Sequence, residues 1–232
     1  MKGPGTAPLL AARAGALHEL ERLDYAAAWE LQRRLVEDRQ AGRCPDTLLL
    51  LEHDPVFTVG RTGRAAHWGG DESATHLAGI PLLRVERGGS VTYHGPGQVV
   101  GYPILRLNRF CAGPKAYVRQ LEEVVIRTLA RWGIRGRRVE KLPGVWMEVG
   151  RPAKIAAIGA RIDRGVTMHG FALNVTVDLE PFTRIVPCGI ADCWVTSMAE
   201  LTAGSVDLGE VRRCLAEQFA EVFGLEWTGV PG

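Results

Sequence analysis

Three segments of the chain repeat their apolar residues every three to four positions, the spacing that places them on one face of an α-helix. These segments cover residues 24–40, 114–132 and 207–223. Asp24 and Asp207 stand where an N-cap is expected. Pro114 suits a first helical turn, and Gly224 suits a stop. The pattern therefore predicts three amphipathic helices spread along the chain.

Short apolar runs between these helices predict β-strands. The runs cover residues 47–52, 56–59, 81–86, 99–105, 144–149, 154–162 and 166–177. Glycine and proline between the last three predict an antiparallel meander. Helices and strands in this order predict an α+β fold (α/β in the broad sense), with a mostly antiparallel sheet flanked by helices. Because no repeat or low-complexity linker occurs, we expect one domain over residues 16–232 after a loose tail over residues 1–15.

Residues 87–98 form a glycine-rich segment between two predicted strands and read RGGSVTYHGPGQ. Four glycines and a proline surround six side chains that can form hydrogen bonds, namely Arg87, Ser90, Thr92, Tyr93, His94 and Gln98. A hairpin turn needs only about two to five residues, so the length favours a binding loop held by a rigid scaffold. An ordinary glycine-rich hairpin accounts for the composition equally well.

The bulk composition narrows the classes of protein and of partner. A hydrophobic content of 46% and a charged content of 23% are typical of a globular domain. The net charge of +2 gives no field that would attract nucleic acid or a membrane surface, and no apolar run is long enough to span a bilayer. Five cysteines, an odd number spread widely, indicate a reduced protein and favour the cytoplasm.

Cys188 and Lys154 are the candidates for covalent chemistry. Cys188 lies between a proline and a glycine, which predicts a turn that meets solvent, although free cysteines are more often small buried hydrophobes. Lys154 stands among small and apolar residues, where an ammonium is costly unless an anion is close. A thiolate is such an anion, and an ammonium lowers the pKa of a neighbouring thiol. The alternative for Lys154 is an edge-strand lysine whose ammonium reaches water.

The sequence gives little support for a catalytic histidine, a metal site or a nucleotide site. His53, His94 and His169 are further candidates, but a lone histidine is more often a structural hydrogen-bonding group. Cys188 and Cys193 lack the second close ligand pair of a structural zinc site, so we expect no metal. No Walker-type motif occurs, and no GxGxxG opens a helix after a strand, so nothing favours nucleotide binding.

Three segments together resemble one family. They read RGGSVTYHGPGQVVGY from residue 87, KIAAIGARI from residue 154 with HGFALNV from residue 169, and PCGIADCWVTS from residue 187. In order, spacing and content they resemble the lipoyl(octanoyl) transferases. LLLLEHDPVFTVG from residue 48 extends the resemblance to about residues 20–200. The chain departs from the family at Asp54, where proline is frequent, at Met198, where leucine is common, and in having the unusual Cys193.

The resemblance implies a fold shared with lipoate and biotin protein ligases, and an enzyme that needs no metal or dissociable cofactor. It implies octanoyl-acyl carrier protein as donor. The implied acceptors are the lipoyl domains of 2-oxoacid dehydrogenase acyltransferase subunits and the glycine cleavage H protein. Cys188 would accept the acyl group, and Lys154 would lower the pKa of its thiol. The implied substrate-contacting residues are Arg87, Gly88, Gly89, Ser90, Val91, Thr92, Tyr93, His94, Ala157, Ile158, Gly159, Gly170, Phe171 and Ala172.

Several finer expectations accompany these roles. Residues 156–158 and Val91 would line the acyl tunnel, and backbone N–H groups near Gly159 or residues 170–172 would stabilise an oxyanion. Five basic residues after the second helix are a candidate landing site for an acidic carrier or simply a solvated loop, namely Arg131, Arg135, Arg137, Arg138 and Lys141. The rival functions are an ATP-dependent lipoate or octanoate ligase, which does not depend on a Pro-Cys-Gly nucleophile, and a non-catalytic acyl-binding module.

Overall fold

The computed structural model describes residues 13–149, 151–190 and 193–228. Its α-helices are α1 (Tyr25–Gln40), α2 (Pro114–Ala130), α3 (Met198–Leu201) and α4 (Leu208–Phe223). The three predicted helices are confirmed, with their capping residues. The Asp24 carboxylate accepts the Ala27 N–H at 3.1 Å, and the Asp207 carboxylate accepts the Glu210 N–H at 2.7 Å. No helix in the described ranges combines the length and hydropathy needed to cross a bilayer.

The strands form two sheets. In chain order they are β1 (Arg13–Leu23), β2 (Asp46–His53), β3 (Val56–Val59), β4 (His76–Leu77), β5 (Ile80–Arg84), β6 (Val91–His94), β7 (Gln98–Ile104), β8 (Arg137–Val139), β9 (Leu142–Val149), β10 (Arg151–Asp163), β11 (Val166–Asn174), β12 (Trp194–Val195) and β13 (Leu225–Trp227). Within the described ranges, the large sheet has the order β13-β1-β2-β7-β11-β10-β9-β8, with β12 added beside β10. The small sheet has the order β4-β5-β3-β6.

Most strand pairs are antiparallel, as predicted, and β9, β10 and β11 form the predicted meander. The exceptions are the parallel pairs of β1 with β2 and β13, of β12 with β10, and of β3 with β5. The α+β fold class is therefore confirmed. The second, smaller sheet was not predicted.

The first strand corrects the predicted N-terminal tail. Residues 13–15 belong to β1, where Gly15 pairs with Asp46 of β2, so the tail prediction ran too far. The rest of that prediction, residues 1–12, lies outside the described residues. Charged residues occupy much of β1 because only its first half is well covered, and this masks the strand pattern. An exposed half-strand lacks the apolar run on which sequence recognition depends.

The continuous apolar run of β2 reflects burial on both sides of the large sheet. Leu48 and Leu50 belong to the main core with α2 and α4. Leu49 and Leu51 belong to a second core with α1. Because successive side chains point to opposite faces, a strand covered on both faces is apolar throughout.

The structure corrects the prediction that residues 87–98 form one binding loop. Its centre is β6, which pairs with β3 in the small sheet, and its last residue opens β7 of the large sheet. The segment therefore connects the two sheets, and only residues 87–90 and 95–97 lie outside strands. Short strands rich in glycine and polar residues do not show the period-2 pattern clearly.

Candidate active site

Cys188 lies in a tight turn, as expected. Pro187–Gly189 form a short 3-10 helix, and Cys188 has φ of 58°, in the left-handed region that is strained for a side-chain-bearing residue. The Gly189 N–H donates to the Val186 carbonyl at 2.9 Å, and the Val186 N–H donates to the His67 carbonyl at 2.8 Å. These bonds fix the turn and expose the thiol in part, since Cys188 is only half-buried.

Lys154 lies inside the sheet and reaches this thiol. On β10 it pairs with Trp146 of β9 and with Val195 of β12, and only 4% of its surface is exposed. Its Nζ lies 2.9 Å from Cys188 Sγ and 4.6 Å from the centre of the Trp146 ring. Burial against an aromatic face and a sulfur stabilises an ammonium that has lost its water. This burial rules out the alternative of an edge-strand lysine whose ammonium reaches water.

Gly144 makes room for the lysine and was missed by sequence reasoning. Its φ is 125°, and a Cβ there would lie 2.6 Å from the Ala156 carbonyl and 3.3 Å from Lys154 Cε. Any side chain would therefore push against β10 or displace the Lys154 stem.

A small inner chamber opens beside Cys188, between the α1 side of the large sheet and the small sheet. Its volume is about 40 Å³. Twelve of the predicted substrate-contacting residues line it, namely Arg87, Gly88, Gly89, Ser90, Thr92, His94, Ala157, Ile158, Gly159, Gly170, Phe171 and Ala172. The structure thus brings three distant segments to one cavity. Gly159 and Gly170 pair across β10 and β11.

Val91 and Tyr93, two of the predicted substrate contacts, do not line the chamber. Both belong to the buried cluster of the small sheet, with Phe57 and Phe182. Alternate residues of a strand point to opposite faces. Thr92 and His94 therefore face the chamber while their neighbours pack away from it, and substrate contact by Val91 and Tyr93 stays a prediction.

Arg87 places a buried cation in the chamber wall. Its guanidinium donates to the Thr58 hydroxyl at 3.0 Å and 2.9 Å, and to the carbonyls of Thr58 and Gly88. No carboxylate of the described residues forms an ion pair with it. Burial lowers the Arg87 pKa, opposed by the charges of Tyr25, Cys188 and Tyr102. Without an anionic partner, this guanidinium favours negative charge developing nearby.

His94 belongs to a directed chain of hydrogen bonds. Gln98 Nε2 donates to the side-chain Oδ1 of Asn174 at 2.8 Å, so its own Oε1 accepts from His94 Nδ1 at 2.7 Å. His94 Nε2 then accepts from the Thr58 hydroxyl at 3.3 Å. Burial holds the His94 pKa well below its usual range. His94 is therefore a neutral orienting group, and the chain continues from Asn174 to the carbonyl of Thr196 at 3.0 Å.

Tyr25 and Tyr102 line the chamber, and His53 contacts Tyr102 from behind. His53 Nδ1 donates to the Leu23 carbonyl at 2.9 Å, so its Nε2 accepts from the Tyr102 hydroxyl at 2.7 Å. Burial lowers the His53 pKa to about 4 and raises the Tyr25 pKa to about 12. Tyr25 carries no motif signal, and Tyr102 ends the glycine-rich segment that begins at residue 87, but sequence reasoning singled out neither as a site residue.

His169 lines the chamber with both ring nitrogens unpartnered among the described residues. Its backbone has φ of 55°, and its N–H donates to the Gln32 side chain at 2.8 Å. Burial lowers the His169 pKa to about 3. The ring is therefore neutral and offers one donor and one acceptor to the interior.

His67 and Ser90 support the cysteine turn from the chamber side. The Ser90 hydroxyl donates to His67 Nδ1 at 2.6 Å. A Cβ at Gly189 would lie 3.0 Å from the His67 ring and 3.4 Å from Ser90. His67 was missed because it follows a loop with no recognisable motif, and only the fold brings it to Gly189.

An outer groove of about 310 Å³ meets the chamber at the reactive thiol. Both cavities are lined by Cys188, Gly88, Gly89, Ile158 and Gly159. The groove then runs along the start of α2 and the β8–β9 turn. Cys188 therefore lies at the junction of the two cavities.

The basic residues after α2 are only partly free. Arg138 binds Glu122 at 3.1 Å and Glu123, and Arg137 binds Glu148 at 2.9 Å. Intramolecular pairing of these arginines weakens the predicted landing site for an acidic carrier. Lys141 forms no ion pair in the described part of the chain and lines the outer groove instead.

Cys193 is a weaker candidate for a nucleophile than Cys188. Burial raises the Cys193 pKa to about 11, although Lys154 opposes this shift. Cys193 is therefore protonated at neutral pH and is a poor competitor for an acyl group. Within the described ranges, His, Cys, Asp and Glu form no group of three suited to a metal ion.

Comparison with known proteins identifies the class. The chain matches the lipoyl protein ligase A/B catalytic domain over residues 24–220. Its fold is similar to a bipartite lipoate protein ligase from Thermoplasma acidophilum, with a TM-score of 0.68 and 20% identity, over 94% of this chain and 87% of that one. The predicted lipoate-ligase-like fold is thereby confirmed.

Two relatives identify the family within this class. The octanoyltransferase of Thermosynechococcus vestitus is 48% identical over 207 residues, covering 89% of this chain and 88% of the relative. The octanoyltransferase of Acidobacterium capsulatum is 46% identical over 230 residues, covering 93% and 94%. The chain belongs to the octanoyltransferase family, and it is a transferase.

Proposed function

We propose that this enzyme moves an octanoyl group from octanoyl-acyl carrier protein, through a thioester on Cys188, to a lysine of a lipoyl domain. The observation that carries the proposal is the Lys154 Nζ to Cys188 Sγ distance of 2.9 Å, at the junction of chamber and groove. An ammonium in contact with a sulfur favours the thiolate, which is the reactive nucleophile.

In the first half-reaction the Cys188 thiolate attacks the carbonyl carbon of the octanoyl thioester. A new bond forms from Cys188 Sγ to this carbon, and the bond to the carrier sulfur breaks. The departing thiolate takes a proton from the Lys154 ammonium, which leaves a neutral amine and an octanoyl-Cys188 thioester. One thioester replaces another, so the step needs no ATP.

In the second half-reaction a neutral acceptor lysine attacks the same carbonyl carbon. The new carbon–nitrogen bond forms, the bond to Cys188 Sγ breaks, and the amine proton passes to neutral Lys154. The thiolate and ammonium are thereby restored. Arginine keeps the charge but cannot give up a proton near neutral pH, so this cycle requires lysine at position 154.

The chamber suits the acyl tail, and its buried Arg87 guanidinium favours the oxyanion that forms at the carbonyl. Ile158 and Phe171 give the chamber an apolar wall that an octanoyl tail would contact. The backbone N–H groups near Gly159 and Gly170 remain the other proposed oxyanion donors.

The proposed acceptors are the lipoyl domains of 2-oxoacid dehydrogenase acyltransferase subunits and the glycine cleavage H protein. Two comparisons support them. The similar Thermoplasma acidophilum ligase is described together with its E2 lipoyl domain, and the family relatives are octanoyltransferases.

The experiment mixes octanoyl-acyl carrier protein with a lipoyl domain, without ATP, and follows the domain by intact mass. Wild type should add one octanoyl group. Cys188→Ser should slow transfer at least about a thousandfold, and Lys154→Arg about a hundredfold. Cys193→Ser, the matched control, should transfer normally. Transfer that occurs only with free octanoate and ATP would establish the ligase instead, and a fully active Cys188→Ser would exclude the thioester route.

A further inference from the structure

The outer groove has apolar walls and a positively charged rim. Its walls include Pro114, Val118, Leu142, Pro143, Ile162 and Ile190. Lys141 is exposed at the rim, and Lys115 is exposed beside Pro114. The described ion pairs involve neither ammonium. The groove therefore combines an apolar channel with cations that are free to bind an anion.

The arginines near Lys141 are not free to bind an anion, because glutamates already neutralise them. Glu122 accepts the Gly144 N–H at 3.2 Å and pairs with Arg138 at 3.1 Å, so both its oxygens are occupied. Arg137 pairs with Glu148 at 2.9 Å. Of the five basic residues after α2, Lys141 is the one that lines the groove.

The groove connects the Cys188 sulfur with the rim. Cys188 and Lys141 both line it, and Lys141 lies in the turn that leads into β9. A thin arm with a thioester at one end and an anion at the other can therefore lie along the groove and contact both residues.

We infer that the outer groove binds the phosphopantetheine arm of the acyl donor, with Lys141 contacting its phosphate. This inference rests on the proposed function, because the arm delivers the thioester to Cys188. The apolar walls face the dimethyl and methylene groups of the arm. Lys141 would hold the phosphate while the thioester carbonyl lies between Cys188 and the chamber.

The test compares two small donors, octanoyl-phosphopantetheine and octanoyl-pantetheine, which differ only in the phosphate. Acyl transfer to a lipoyl domain gives kcat/KM for each. Wild type should prefer the phosphorylated donor about tenfold, as expected for a charge-assisted contact. Lys141→Asn should abolish most of that preference. Asparagine suits the left-handed conformation of position 141, where φ is 65°.

Arg164→Asn is the matched control. Arg164 is also a cation with positive φ, 44°, in a hairpin turn, but it does not line the groove. This variant should keep the wild-type preference for the phosphorylated donor. Octanoyl-coenzyme A tests the other source of the same arm and should show the same dependence on Lys141, whereas the carrier protein should add affinity that survives Lys141→Asn.

The outcomes separate the inference from the proposed function. If wild type transfers octanoyl from both small donors equally well, or if Lys141→Asn keeps the full preference, the phosphate does not bind at Lys141 and the inference is overturned. If wild type accepts no octanoyl thioester, including that of the carrier protein, the proposed function itself fails.

Discussion

Lowering the pH from 7 to 5 should destabilise the fold through the buried histidines His53 and His169. Burial lowers the His53 pKa to about 4 and the His169 pKa to about 3, from a usual value of 6.5. Between these values the unfolded chain binds protons that the folded chain does not. The stability contributed by the neutral rings is therefore complete above about pH 6.5 and is lost as the pH falls toward the folded-state pKa.

The magnitude follows from the size of the shifts. Each pH unit below about 6.5 costs about 1.4 kcal/mol per histidine, or about 2 kcal/mol for each ring at pH 5. The two rings together give about 4 kcal/mol, and the lowered His94 pKa acts in the same direction. For a chain of this size we expect a fall of about 10 °C in melting temperature.

Urea unfolding at pH 7 and pH 5, in wild type and His169→Asn, measures the effect. Asparagine tolerates the left-handed backbone of this position, where φ is 55°, and takes up no proton. The variant should lose about 2 kcal/mol less between the two pH values. His76→Asn, which changes an exposed histidine, should leave the pH dependence as in wild type. A His169→Asn protein with the full wild-type pH dependence would refute the reasoning.

Two further substitutions test how the site and the fold are supported. Gly144→Ala should lower the rate of acyl-enzyme formation at least about tenfold, because its Cβ would lie 2.6 Å from the Ala156 carbonyl and crowd Lys154. Gly133→Ala, with φ of 71° and no atom near its Cβ, should cost about 1 kcal/mol of backbone strain and leave that rate unchanged. Asp46→Asn should lower the free energy of unfolding by about 3 kcal/mol, because Asp46 is fully buried between Arg39 and Arg109. A denaturation curve that matches wild type would contradict this last expectation.

The sequence allowed the helices and the meander to be predicted, and Cys188 and Lys154 to be singled out as candidates, because each has a local signal. Capping residues identify α1 and α4. Cys188 between proline and glycine, and Lys154 among apolar neighbours, are anomalies that a sequence displays directly. The contact between them has no local signal, because 34 residues separate them in sequence. The pairing of β10 with β12 helps to bring the turn to the lysine.

The parts that sequence reasoning missed depend on tertiary packing. The role of Gly144 follows from its distance to Ala156, and that of His67 from its contact with Gly189. The small sheet consists of strands too short and too mixed in polarity to show a clear period. The alternation that removes Val91 from the chamber becomes visible only once β6 is recognised as a strand.

The most direct test of the central claim is the intact mass of the enzyme after mixing with octanoyl-acyl carrier protein, with neither ATP nor acceptor present. Wild type and Cys193→Ser should each gain the mass of one octanoyl group, and hydroxylamine should remove it, as expected for a thioester. Cys188→Ser should gain no hydroxylamine-labile group. A wild-type protein that stays unmodified while still transferring octanoyl to a lipoyl domain would contradict the covalent mechanism.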